Sequence, residues 1–168
     1  QSALDEVRSQ NKNLKDHIDA LQGDISSVTG QLQGADQSAG PIRQGSGQFI
    51  WPVNGPITSP FCEQRAWESC HPGIDIGVPS GTPIRAAGSG VVQIAGWVGG
   101  YGNYTCIGHG GGVSTCYGHQ SRFATSVGAH VSQGQVIGYV GCTGLCFGDH
   151  LHFEVRVNGS VTNPLSWL

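Results

Sequence analysis

Apolar residues near the start of the chain recur at alternating steps of three and four: Leu4, Val7, Leu14, Ile18, Leu21, Ile25, Val28 and Leu32, with Asn11 in the same phase. That rhythm puts Leu4, Asn11, Ile18, Ile25 and Leu32 at a and Val7, Leu14, Leu21 and Val28 at d of a heptad, so residues 1–33 are expected to form a coiled-coil helix. Gly23 and Gly30 fall at outward f positions and each costs about 1 kcal/mol of helix propensity, while the e and g positions offer little charge pairing. A stripe of this length still needs cover. Asn11 at an a position favours a second helix as that cover, because a buried Asn is tolerated where it meets a polar partner and sets register.

Residues 34–48 are rich in Gly, Gln and Ser and are expected to form a flexible linker. From Phe49 onward short apolar runs at 83–87, 90–95 and 135–140 are separated by glycine-rich turns, which predicts an antiparallel β domain over 49–168. Gly110-Gly111-Gly112 marks a hairpin turn centred on residue 111. That register sets Cys106 opposite Cys116 and Asn103 opposite His119.

Chemistry concentrates on two stretches of this β region. Between Gly148 and Val157, Leu151, Phe153, Val155 and Val157 alternate with His150, His152, Glu154 and Arg156, which predicts a half-buried strand with both imidazoles on its polar face. In His71-Pro72-Gly73-Ile74-Asp75-Ile76, Pro72 pushes His71 to an extended conformation and Gly73 breaks any helix. His71 is therefore a loop residue, followed by a strand in which Ile74 and Ile76 face the core and Asp75 faces away. Two imidazoles and a carboxylate make the three protein ligands of a catalytic zinc, with a fourth position left for water. The residues by themselves do not choose between His150 and His152 as the ligand. His119, in Tyr117-Gly118-His119, supplies another imidazole beside them. Glu154 either orients a ligand histidine or stays at the surface. His17, His109 and His130 read as surface groups.

The motifs His71 to Asp75, Gly100-Tyr101-Gly102-Asn103, Tyr117-Gly118-His119, Gly134 to Gly138 and His150 to Arg156 resemble, in order, those of the lysostaphin and LytM type zinc endopeptidases of peptidoglycan. The resemblance covers roughly Phe49 to Leu168. It implies a mainly β catalytic domain with a groove, Zn2+ held by His71, Asp75 and His152, and catalytic roles for His119 and His150. The implied substrate is the peptide part of bacterial peptidoglycan. The alternative it carries is a regulatory relative that binds and activates another cell-wall hydrolase through its coiled coil; degenerate relatives of that kind lose metal residues, and all three are present here. Cys62 stands where relatives usually carry Gly.

Composition narrows the partners and the compartment. Charged residues are 11% of the chain and the formal net charge is −3, so no basic patch argues for nucleic acid. The six cysteines lack a Cys-x-x-Cys knuckle and pair by spacing as Cys62/Cys70, Cys106/Cys116 and Cys142/Cys146, which predicts disulfides and an oxidising compartment. No apolar run reaches the length of a membrane span. An exported protein of the cell envelope is expected, periplasmic or extracellular, whose helix pairs with a second copy or with another envelope protein.

Overall fold

The computed structural model describes the backbone of residues 2–38 and 43–168 and the side chains of residues 3–20, 22 and 43–168. Two units are distinguished, Gln1–Gln37 and Ser38–Leu168. The first is helix α1, Ser2–Ser38, along which Leu4, Val7, Leu14 and Ile18 are all exposed. The side chains of Leu21, Ile25, Val28 and Leu32 lie outside the described residues. The helix continues through 34–38 of the stretch expected as linker, and 39–42 of it lie outside the described residues. From Arg43 the chain is already fastened to the β unit: the Arg43 guanidinium lies 3.8 Å from the centre of the Trp51 ring, the Trp51 amide donates to the Arg43 carbonyl, and Ser46 Oγ donates to the Leu168 carbonyl.

The second unit is antiparallel β, as its period-two pattern predicts. Its strands are β1 (Ile57–Ser59), β2 (Ile74–Ile76), β3 (Pro83–Arg85), β4 (Gly90–Trp97), β5 (Asn103–Gly110), β6 (Val113–Gln120), β7 (Arg122–Phe123), β8 (His130–Val131), β9 (Val136–Tyr139), β10 (Leu151–Val157) and β11 (Ser160–Thr162). Eight of them form one sheet in the order β1-β2-β10-β6-β5-β4-β8, with β11 added beside β10; β3-β9-β7 form a smaller one. Ile74, Ile76, Leu151, Phe153 and Val155 enter the same apolar core as Ile84, Ile107, Ile137 and Val140. β10 is thus an interior strand, hydrogen-bonded to β2 on one side and β6 on the other.

That position changes the expectation of a half-buried strand. Leu151 through Val155 are buried on both faces, and so is all of β2. The face carrying His152 and Glu154 is roofed by Tyr101, Tyr104 and the Cys106–Cys116 bridge: Tyr101 stacks on Tyr104 at 4.4 Å, and the Tyr104 hydroxyl donates to Glu154 Oε2 at 2.9 Å. His152 and Glu154 therefore face a second, smaller packed layer and not solvent. The surface reading of Glu154 is overturned by its complete burial.

The hairpin is centred as the glycine triplet predicts, with Cys106 opposite Cys116. Its far end differs. A bulge shifts the pairing between Asn103 and Thr105, so Asn103 faces Gln120 and not His119. The extra residue sits on β6, where His119 takes a left-handed backbone, φ 59°. A bulge bends its strand and re-aims a side chain, and here it turns His119 out of the ladder. The Cys62–Cys70 and Cys142–Cys146 bridges form as their spacing predicts. Each closes a short loop and is worth roughly 2 to 3 kcal/mol on chain-entropy grounds.

Two expectations follow from the backbone. A Cβ at Gly73 would lie 2.2 Å from the Phe153 carbonyl oxygen of β10. Gly73→Ala must push β2 away from β10, costing about 1–3 kcal/mol as an overpacked site does, visible as a lower urea midpoint at unchanged m. At His119 the usual order reverses: His119→Gly is expected to be more stable than His119→Ala by about 1 kcal/mol, because only Gly takes a left-handed backbone without strain. Equal urea midpoints for the two variants would show that the bulge relaxes on substitution.

Candidate metal centre and its groove

His71 leaves a loop just before β2, and its ring is oriented by Nδ1–H donation to the Pro60 carbonyl at 3.0 Å, which leaves Nε2 free to face the sheet. Asp75 lies in the middle of β2, directly opposite His152 in the antiparallel ladder with β10. His152 is oriented the other way round from His71: its Nε2–H donates to Glu154 Oε1 at 2.9 Å, so Nδ1 faces the cluster. The three inward atoms make a tight triangle. His71 Nε2 and His152 Nδ1 are 3.0 Å apart, and Asp75 Oδ1 is 3.2 Å from the first and 3.0 Å from the second.

This donor set fits a metal ion. Tetrahedral zinc with bonds of roughly 2.0–2.1 Å holds neighbouring ligand atoms about 3.3–3.4 Å apart, so the triangle needs only a few tenths of an ångström of expansion. All three residues are buried, and among the described residues they form a His/Asp cluster able to hold an ion. The structure thus distinguishes the two histidines of the strand pair. His152 joins the cluster, whereas His150 stands at its edge, with Nε2 3.6 Å from Asp75 Oδ1.

His150 and His119 share an orienting device. His150 Nδ1–H donates to the Gly148 carbonyl and His119 Nδ1–H to the Thr143 carbonyl, both at 2.7 Å. This leaves Nε2 of each ring turned away from the backbone. The two rings meet edge to face with centroids 4.8 Å apart, and His119 lies 5.9 Å from the ring of His152. The four histidines and the aspartate singled out in the sequence are brought together. His109 is not among them: it is half-buried against Phe49, with its ring nitrogens bonded to the Ser89 carbonyl and the Thr115 hydroxyl.

The electrostatics follow from burial and pairing. Burial raises the Asp75 carboxyl, but the close approach of the His152 and His71 ring nitrogens outweighs it and holds the group well below the usual carboxylate range. Burial likewise raises Glu154, and its bonds to His152 and Arg156 bring it down to about 2, so it is a buried anion. Arg156 Nε donates to Glu154 Oε2 at 2.6 Å, which together with Tyr104 saturates this carboxylate. His119 is pushed down to about 4, chiefly by burial, and is neutral at pH 7.

Two cavities open beside the cluster, one of about 250 Å³ reaching His71, His152 and Tyr101, the other of about 590 Å³ reaching Asp75 and His150. Arg65, Trp67, His119 and Leu145 line both. Trp67, in the Cys62–Cys70 loop, and Phe147, just after Cys146, touch with ring centroids 5.5 Å apart although both are strongly exposed. The groove walls are thus disulfide-pinned loops. Reading the sequence missed Arg65, Trp67 and the tyrosine layer. Arg65 had one available signal, a cation inside the short Cys62–Cys70 loop of a chain with few charges.

Comparison with known proteins agrees with this geometry. The sequence model of Peptidase family M23 matches residues 69–164. The DD-carboxypeptidase/endopeptidase Mpg of Neisseria meningitidis serogroup B is 46% identical over 115 residues, 66% of this chain and 26% of that protein. The murein hydrolase activator EnvC of Escherichia coli is 38% identical over 122 residues, 73% of this chain and 29% of that one. The chain thus spans little more than a quarter of the length of these curated relatives. Among solved structures, a zinc containing peptidase from Vibrio cholerae superposes with a TM-score of 0.65 at 32% identity, covering 68% of this chain and 38% of that one. The likeness to lysostaphin and LytM type enzymes holds, and the chain belongs to peptidase family M23.

Proposed function

We propose that the chain is the catalytic part of a zinc-dependent endopeptidase that hydrolyses peptide cross-links of bacterial peptidoglycan. The observation that carries this is the triangle of His71 Nε2, Asp75 Oδ1 and His152 Nδ1, with two further imidazoles whose Nε2 atoms are left free beside it. Two neutral nitrogens and one carboxylate oxygen are the donor chemistry of a catalytic zinc site. Bound there, zinc supplies Lewis acidity toward a carbonyl oxygen and a water.

The remaining steps belong to the chain's own groups. His150, with its lone pair fixed on Nε2 by the Gly148 carbonyl, takes the proton of the attacking water and returns it to the leaving amine nitrogen. Neutral His119 has its proton committed to Thr143, so its Nε2 accepts a hydrogen bond and orients that water; it donates toward developing negative charge only after gaining a proton itself. Glu154 keeps the proton of His152 on Nε2 and thereby its lone pair on Nδ1. The 46% identity to Mpg supports a bond between D-residues as the target. The three disulfides support action outside the cytoplasm, in the cell envelope.

A second reading, activation of another wall hydrolase, is supported by the 38% identity to EnvC. One set of variants tests both. His71→Ala, Asp75→Ala and His152→Ala are expected to lose zinc by elemental analysis. His150→Ala and His119→Ala are expected to keep zinc and to release muropeptides more slowly, His150→Ala by at least about 100-fold as loss of a general base does. Zinc-replete wild type that releases none, yet accelerates a second hydrolase, would establish the activator.

For the helix we propose pairing with a second copy through the Leu4, Val7, Leu14 and Ile18 stripe, with Asn11 in the seam. Sedimentation equilibrium is expected to give a dimer at micromolar concentration and a monomer for the Leu14→Asp, Ile18→Asp double variant, with digestion of free muropeptides unchanged. Faster digestion by a monomeric double variant would indicate that the stripe masks the groove instead.

A further inference from the structure

The two oxygens of Asp75 are used differently. Oδ1 belongs to the triangle with His71 and His152, whereas Oδ2 accepts a hydrogen bond from Arg65 Nη2 at 2.7 Å. Arg65 makes more contacts than this one. Nη1 donates to Glu68 Oε1 at 3.1 Å, Nε faces Glu63 Oε2 at 3.5 Å, and Nη2 also donates to Ser59 Oγ. Its side chain is only 21% exposed. A guanidinium held by this many partners is a fixed part of the wall.

We propose that Arg65 is a positioning residue that reserves Oδ1 of Asp75 for the metal, and so sets how firmly the ion is retained. The proposal rests on reading His71, Asp75 and His152 as ligands. A carboxylate free to rotate beside a divalent ion can offer one oxygen or both, and occupying Oδ2 with a planar N–H donor removes the second choice. The Arg65 charge also repels a cation, which works against retention. Glu63 and Glu68 flank it, however, so the three side chains together carry a net negative charge and the repulsion is offset. Orientation is the effect that remains.

The loop is built to hold this contact. The Cys62–Cys70 bridge closes it, Arg65 N–H donates to the Glu68 carbonyl at 2.9 Å, and backbone bonds from Cys62 to the His71 carbonyl and from His71 to the Glu63 carbonyl tie it to the first ligand. One short segment thus carries both His71 and the group that orients Asp75. Lysine would supply the charge without the fork that satisfies Asp75, Ser59 and Glu68 together.

The test is zinc affinity by chelator competition in Arg65→Gln, Arg65→Lys and Asp75→Asn, with cobalt(II) absorption as a second readout. Arg65→Gln is expected to bind zinc about 10- to 100-fold more weakly, the range for loss of a group that orients a ligand. Its cobalt(II) visible bands should weaken, as they do when a four-coordinate ion gains an oxygen. Arg65→Lys should fall between Arg65→Gln and wild type, and it carries the comparison should Arg65→Gln prove unfolded by thermal melting. Wild-type zinc affinity and an unchanged cobalt spectrum in Arg65→Gln, with any loss confined to KM, would overturn the proposal and make Arg65 a substrate contact. Wild-type affinity in Asp75→Asn would instead remove the ligand assignment beneath it, a separate result.

Discussion

Asp75 and His152 stand directly opposite each other in the ladder between β2 and β10. Residues paired in this way have Cβ atoms about 4.5–5.5 Å apart, so the cross-strand register alone brings a carboxylate and an imidazole to one point. A slip of β2 by one residue would turn Asp75 to the other face, away from His152. Register is fixed here by the apolar partners, Leu151 against Ile76 and Phe153 against Ile74, all completely buried. The core therefore sets the geometry of the site. Gly73 contributes by having no side chain, since a Cβ there would meet the Phe153 carbonyl.

Placing such a site inside a sheet puts ionised groups where water is scarce, and an unpaired buried charge costs several kcal/mol. The structure meets this with a complete set of partners. Glu154 receives His152, Tyr104 and Arg156; Asp75 accepts from Arg65 through Oδ2 and turns Oδ1 toward the His71 and His152 ring nitrogens. The tyrosine layer and the Cys106–Cys116 bridge then exclude solvent from the face of β10 that carries His152 and Glu154. A ring clamped in this way has little freedom to rotate, which is what a metal ligand requires.

Much of this was legible in the sequence because it follows from period and spacing. The alternation from Leu151 to Val157 located the strand, the glycine triplet centred the hairpin at residue 111, and three pairs of cysteines found their partners. What escaped depends on the third dimension. Alternation cannot say whether the polar face of a strand meets water or a second layer, so the burial of Glu154 was not foreseen. A one-residue bulge leaves no mark on a hydrophobic pattern, and His119 was placed opposite Asn103 when the ladder sets Gln120 there. Arg65 reaches Asp75 through a loop whose path no periodicity describes. Composition also hid the docking of Arg43 to Gln48, since a Gly- and Gln-rich stretch reads as linker even where Ser46 bonds the last residue of the chain.

The position of the disulfides carries the argument one step further. Three imidazoles at the site keep their tautomers by donating Nδ1–H to the carbonyls of Pro60, Gly148 and Thr143. Pro60 lies two residues before Cys62, Thr143 lies within the Cys142–Cys146 loop, and Gly148 follows Cys146 by two residues. Loop carbonyls are ordinarily the most mobile acceptors in a fold. Here each is anchored next to a covalent bridge, and the tautomers of His71, His150 and His119 depend on that anchoring. A contribution of about 2 to 3 kcal/mol per bridge describes only the stability side. The other side is preorganisation, because a histidine whose acceptor wanders divides its population between two tautomers, and in these three rings only the form with its lone pair on Nε2 can fill the ligand and base roles proposed for them.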